Sequence, residues 1–511
     1  MSARRKKPMR TATRIALAVL TMVPIVALAG GLTAIDPLPD AVDPLGAFGA
    51  RSDFARSVGQ LSTASYCPAR MALADTGSYG DAEFQATVGD IAATARYAAF
   101  GSVYRTEVTG LDGGDALTTL AADGSGDGTL VATSDMEETA TLLQTRLLSS
   151  EDGTGTAASV MSHASEGDLR GLSAASCVAT ALDQSFLLPS TGTGATQQLI
   201  VANPSSKATT VRLNAWGTSS GDRLRASTGE RYTVPAHGES VIDLSAAVSG
   251  QEGVYVTVSS TLAPVSAVVR VVLADGLTPK GSDYVTPITV SGDSLVLPGL
   301  DEADTVRVFV RAATGGDITF SWLTGDGAEQ ASTQQVEADR VGVVDLGEVP
   351  EGATALLVEG ADTVDDIVAS AFVSRDGDDG QADFAMVGAA SPSASSAIAV
   401  PDGATTTLAF AATDGDAEGT LTVYDADGVA TATRDIAVTA GTSMSVALSD
   451  VADDAAAVRL DVTEGRIAWG ARPSVPSLDD ADVAQAAYLP ASALAAATTT
   501  VFSVEDPTIV R

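Results

Sequence analysis

Phe186-Leu-Leu-Pro189, Leu295-Val-Leu-Pro298 and Ile398-Ala-Val-Pro401 are three apolar runs, each stopped by a proline. Proline has no N–H to give to a sheet ladder, so each run reads as a short strand with a defined end. The prolines recur at intervals of 109 and 103 residues. The residues after each run repeat as well. An alternating stretch comes next: Gln198-Leu-Ile-Val-Ala202, Thr305-Val-Arg-Val-Phe-Val310 and Thr407-Leu-Ala-Phe-Ala411. A second stretch then ends in an aromatic residue, at Trp216, Trp322 and Tyr424. Further on stand Ser240-Val-Ile-Asp243-Leu244, Gly342-Val-Val-Asp345-Leu346 and Ser445-Val-Ala-Leu448. Each unit closes on an aromatic: Tyr284, Phe384 and Tyr488.

Landmarks kept in one order three times define a repeat. Alternation with period two is the mark of a strand, since neighbouring side chains face opposite sides of a sheet. Gly, Asp and Pro punctuate the units at the spacing of an antiparallel sandwich. The chain is therefore expected to be mainly β, with three tandem immunoglobulin-like or Greek-key β-sandwich modules at 184–290, 291–390 and 391–495 and a tail at 496–511. Trp216, Trp322 and Tyr424 are expected to plug the cores. Modules 2 and 3 lack Asn203-Pro204 and the Gly276–Gly281 stretch of module 1. Module 1 is thus expected to carry the binding surface, with the other two as spacers.

Residues 61–183 are less regular. Runs such as Thr129–Thr133 and Ala158–Met161 look like strands, and Met136–Leu148 is expected to form a helix. Cys67 and Cys177 bracket this region and are the only cysteines. Outside the cytoplasm a minimal even count reads as one disulfide.

The N-terminus carries the address. Six of the 29 basic residues lie in the first 14 positions, which hold no acid, and an uncharged apolar run extends from Ile15 to Ile35. Either Ile15–Val26 is the core of a signal peptide cleaved after Ala27-Leu28-Ala29, or the whole run is an uncleaved membrane anchor. Both readings place residues 1–35 as the export segment, with the rest outside the membrane. Residues 36–60 read as an extended spacer.

Charge excludes one large class of partner. The formal net charge is −36 overall, and the chain beyond the basic start is more acidic still. Such a polyanion repels nucleic acid. The two histidines, His163 and His237, lie in different regions, and no hydrolase, zinc or nucleotide motif accompanies them. No catalytic residue, metal ligand or cofactor is expected, and the protein reads as a non-enzyme. Asp376–Gly380 and Asp425–Gly428 have the oxygen-rich look of calcium loops, but the first reading for both is hairpin turns. Exposed aromatics such as Tyr255 or Trp469 beside carboxylates would instead favour glycan binding.

Arg170-Gly-Leu-Ser-Ala-Ala-Ser-Cys177, Leu199-Ile-Val-Ala-Asn203-Pro204 and Gly276-Leu-Thr-Pro279-Lys-Gly281-Ser-Asp283-Tyr284 carry a further signal. Over these residues the chain resembles an actinobacterial family of exported or membrane-anchored proteins classed only as a domain of unknown function. The position of Phe186 lacks the tryptophan-containing doublet common in that family. The resemblance implies a cell-envelope location and supplies no catalytic residues, while the sheet faces and edges of the tandem modules suggest envelope proteins or cell-wall glycans as partners.

Overall fold

Module 2 shows the building plan most plainly. Its eight strands, a to h, are Ser294–Pro298, Thr305–Arg311, Gly316–Leu323, Ala328–Val336, Gly342–Glu348, Ala355–Gly360, Val368–Asp376 and Ala382–Gly388. They form two antiparallel sheets, ordered a-f-c-d and e-b-g-h. Alternation builds the core between them: Val306, Val308 and Val310 of strand b meet Leu356 and Val358 of strand f, all fully buried. Each such side chain contributes about 1.5–3 kcal/mol by leaving water.

The same order recurs in modules 1 and 3. In module 1 strand d is broken into Arg223–Leu224 and Arg231–Val234, and in module 3 Ser492–Ala493 adds to the free side of strand a. The computed structural model describes residues 55–74, 86–121, 128–496 and 498–502. The export segment 1–35, most of the spacer 36–60 and the end of the tail lie outside the described residues. Among the described residues no helix is long and apolar enough to cross a membrane.

There are four modules, not three. Residues 62–179 fold on the same plan, with one sheet running Ser62–Cys67, Thr141–Leu147, Val103–Gly110, Thr118–Ala121 and the other Leu130–Asp135, Ala92–Phe100, Gly155–Ala164, Gly171–Ser176. Cys67, at the end of strand a, is bonded to Cys177, one residue past strand h. The helix expected over Met136–Leu148 is strand f, Thr141–Leu147, laddered on both sides by Ser62–Cys67 and Val103–Gly110. Leu142 and Leu143 are both buried because the start of this central strand is covered on both faces, whereas Arg146 further along is exposed. That coverage erased the alternation by which a half-buried strand is recognised.

Residues 59–497 form one unit and the remaining terminal residues another. Within the first, the modules are joined head to tail. Strand a of module 1 packs on strands b and g of module 2, and strand a of module 2 packs on b and g of module 3. Strand a of module 3 returns to b and g of the N-terminal module, while Val178–Ala179 of that module packs on strand g of module 1. A repeated head-to-tail contact that returns to its start is a closed ring. Modules 2 and 3 are therefore ring members rather than spacers. In the second unit, Ala55–Gly59 pairs with Thr498–Phe502.

Candidate functional site: the central junction and the joints

Strand h is the inner edge of each module, and the h strands meet one another at the centre of the ring. An edge strand has a row of N–H and C=O groups with no ladder partner, and buried ones cost about 1–3 kcal/mol each when unsatisfied. Two carboxyl groups resolve this. Ala174, Tyr284 and Met386 stand at the same ladder position in three modules, opposite Met161, Arg270 and Phe372 of their g strands. All three give their N–H to Asp283: Tyr284 at 2.9 Å, Met386 at 3.3 Å, and Ala174. Ser173 Oγ adds a fourth bond at 3.2 Å.

Two residues back along the strands the pattern repeats around Asp383. Its Oδ2 accepts the N–H groups of Leu172 at 2.8 Å and Ala486 at 2.9 Å, and its own strand contributes Phe384. Gly171 and Gly281 leave the space this requires. A Cβ on Gly281 would lie 2.5 Å from Asp383 Oδ1, and one on Gly171 would lie 2.7 Å from its Cγ. Both glycines also have positive φ, 131° at Gly171 and 98° at Gly281, where a side chain is strained.

Burial pushes the Asp283 carboxyl up to about 8, against the pull of its N–H donors. Burial pushes Asp383 well above the carboxylate range, and the neighbouring Asp283 adds to it. Asp383 Oδ1 is buried with no partner in the structure, the place where a carboxyl proton would sit. Each carboxyl ties its own module to two others, and no substrate can reach it, because both residues are essentially unexposed. The chemistry here is cohesion.

Each joint has its own polar lock further out. Between the N-terminal module and module 1, Tyr66 donates to Glu239 at 2.6 Å, while Arg270 binds Gln198 within module 1. Burial lifts Tyr66, and it lifts Tyr284 to about 12. Between modules 2 and 3, fully buried Asp304 holds Arg375 of its own module and Arg472 of the next. Between module 3 and the N-terminal module, Arg96 binds Asp402 at 2.6 Å and the Val400 carbonyl. Between modules 1 and 2, the Arg311 guanidinium lies 4.5 Å from the Tyr255 ring centroid and 5.1 Å from that of Trp216, a cation–π arrangement.

Among the expected core plugs, Trp322 is buried in the core of its own module. Trp216 and Tyr424 are only half-buried and seal joints, Trp216 beneath Arg311 and Tyr424 edge-on to Phe100 of the N-terminal module. Their strands end where two modules meet, so the rings cover the seam. Trp469 is buried, with Nε1 donating to Ser396 Oγ at 2.8 Å. Tyr255 is half-buried under Arg311. Tyr284, Phe384 and Tyr488 are all buried at the junction or beside it, although Met386, not Phe384, holds the ladder position of Tyr284.

The acidic loops are turns. Asp425 Oδ1 accepts the N–H groups of Asp427 and Val429, and Asp376–Gly380 closes the g–h hairpin of module 2, with Lys280 Nζ donating to the Gly380 carbonyl. His237 has φ 50° in a turn before strand e, and His163 sits on strand g of the N-terminal module. Among the described residues no three His, Cys, Asp or Glu side chains converge as a metal site. A cleft of about 280 Å³ between modules 2 and 3 is lined by Asp301, Glu302, Arg375, Arg472 and Ser445. Another, of about 560 Å³, lies between the N-terminal module and module 1, beside Arg170, Thr196 and Leu277.

Asp283 and Asp383 were not anticipated as a pair. The available signal was an acid one residue before two of the three closing aromatics, in Asp283-Tyr284 and Asp383-Phe384. The fold and its junction define a mainly β, disulfide-bonded protein of four sandwiches closed into a ring. The chain belongs to the family of unknown function DUF5719, whose model matches residues 131–449, from strand e of the N-terminal module into module 3. No curated protein matches it.

Proposed function

We propose that the protein is an exported, non-enzymatic scaffold of the actinobacterial cell envelope, holding other envelope proteins on a rigid ring. The observation that carries this reading is the junction itself. Its two buried carboxyls each accept backbone N–H groups from three modules, an arrangement that fixes module positions and so supports a structural role. The disulfide joining Cys67 and Cys177 fits an oxidising compartment. The apolar run Ile15–Ile35 behind a basic start supplies the route.

We read the modules as immunoglobulin-like, in permuted form. With strands b, c, e and f in the places of B, C, E and F, strand a fills the place of G and strand g that of A. Such modules commonly present surfaces to other proteins. Glycan stacking has less behind it, because Trp322 and Trp469 are buried and Trp216 lies beneath Arg311. The test is crosslinking in intact cells and identification of the captured proteins. Envelope proteins are expected, and capture of none would overturn the scaffold.

A further inference from the structure

The four modules finish their outer edge, strand d, in different ways. In the N-terminal module its described part is Thr118–Ala121. In module 1 it is broken into two pieces that carry Arg223 and Arg231. In module 3, Ala430–Val438 is long but carries Arg434 and Asp435, and Ile436 and Val438 anchor one face in the core. Short length, breaks and charge are the usual protections of an edge.

Module 2 has almost none of them. Ala328–Val336 reads Ala-Glu-Gln-Ala-Ser-Thr-Gln-Gln-Val, nine residues without Lys, Arg or Pro. It pairs with strand c on one side, interrupted by a single bulge near Ala331. Among the described residues nothing pairs with its other side. Seven of the nine residues are exposed and only Val336 is buried, so both faces are wet where one should be covered. The strand stands out from its sandwich as a flange.

We propose that this strand pairs with the same strand of a second copy, making an antiparallel, twofold-symmetric dimer. Charge localises that pairing to this strand. The chain carries a net charge of −36, so most approaches of two copies are repulsive. Within the flange Glu329 is the only charge. Antiparallel pairing sets it against the far end of the other strand, near Gln334 and Gln335, and no like charges oppose. Ser332, Thr333, Gln330 and Gln334 each both donate and accept. They already bond among themselves along the strand, Gln330 to Thr333 at 3.1 Å and Gln334 to Ser332 at 3.0 Å. A surface able to satisfy itself can satisfy its own copy, which is what a twofold interface requires.

The inference does not depend on the scaffold reading, because a dimer would form whatever the ring holds. Cys67 and Cys177 are the only cysteines and are bonded to each other, so one introduced thiol is the only reactive one. The full chain bearing Ser332→Cys or Thr333→Cys is treated with a short bismaleimide, with Thr433→Cys on strand d of module 3 as the control. Covalent dimer is expected at least tenfold more from residue 332 or 333 than from 433. Adding Gln330→Lys and Gln334→Lys should abolish capture without changing the thermal melt. Absence of dimer overturns the proposal, as does equal capture at 433, capture that survives the lysines, or capture only of a different protein.

Discussion

Of the edge strands of each module, h lies at the centre of the ring and d ends the other sheet at the rim, and the two are finished in opposite ways. At the centre a single carboxyl gathers N–H groups from three modules, twice, and glycines at 171 and 281 clear the space. At the rim of module 2 the strand is left open on both faces. Burial makes the difference. A buried donor must find an acceptor inside the protein, whereas an exposed donor can use water, so only the inner edge forces particular side chains on the sequence. Stability should therefore be sensitive at the centre and indifferent at the rim.

The sharpest test is Asp383→Ala. It strands the N–H groups of Leu172, Phe384 and Ala486 in a dry junction, and at about 1–3 kcal/mol per unsatisfied group the loss should be about 3–9 kcal/mol. Asp383→Asn keeps an acceptor oxygen in the same place and resembles the protonated acid, so it should stay within about 1 kcal/mol of wild type. Urea unfolding of both variants gives the comparison. A mild effect from alanine would mean that the centre is no more demanding than the rim.

Gly281→Ala is next. The new Cβ would meet Asp383 Oδ1 at 2.5 Å with φ at 98°, and strain plus overpacking should cost about 2–4 kcal/mol. Gly347→Ala, at φ 74° with nothing within 4 Å, isolates the backbone part at about 1 kcal/mol. If the two cost the same in thermal unfolding, the junction has room to spare and Gly281 is not there to clear space for Asp383.

The same two acids set the pH dependence. Asp283 is raised to about 8 and Asp383 is raised well above the usual carboxylate range, both chiefly by burial. The folded chain thus holds protons that the unfolded chain releases above about pH 4. This stability is complete below the unfolded value and is lost as pH rises, through about 8 for Asp283. Urea midpoints should accordingly fall between about pH 5.5 and about pH 9, where exposed carboxylates no longer titrate. Asp283→Asn with Asp383→Asn should flatten that slope. An unchanged slope would mean that both groups are ionised on their N–H donors throughout.

The sequence exposed the repeat because sandwich cores impose period two, and Pro189, Pro298 and Pro401 end the same strand in three copies. The fourth copy carried the same marks in weaker form. Tyr66-Cys67-Pro68 ends its strand a, and Asp135 pairs with Thr94 as Asp243 pairs with Gln198. Its strand f was hidden by burial on both faces, and gaps in regularity at Gly- and Ser-rich loops obscured the spacing. The junction was not legible. Asp283 and Asp383 lie 100 residues apart at different ladder positions, so comparing the copies column by column treats each as an isolated acid. What unites them is closure of the ring, a tertiary fact with no local period.

The rim should return the smallest effect, and that smallness is informative. Gln330 and Gln334 are exposed and bond only to hydroxyls of their own strand, so Gln330→Lys with Gln334→Lys should change unfolding free energy by no more than about 0.5 kcal/mol. A purely structural edge strand would tolerate that change with no other consequence, since lysine is itself a common edge protector. If the flange pairs with a second copy, the same variant stays folded at the wild-type midpoint yet sediments as a monomer at concentrations where wild type does not. A stability loss approaching that of Asp383→Ala would break the comparison instead, because it would mean that strand d is held inside the folded ring as firmly as strand h.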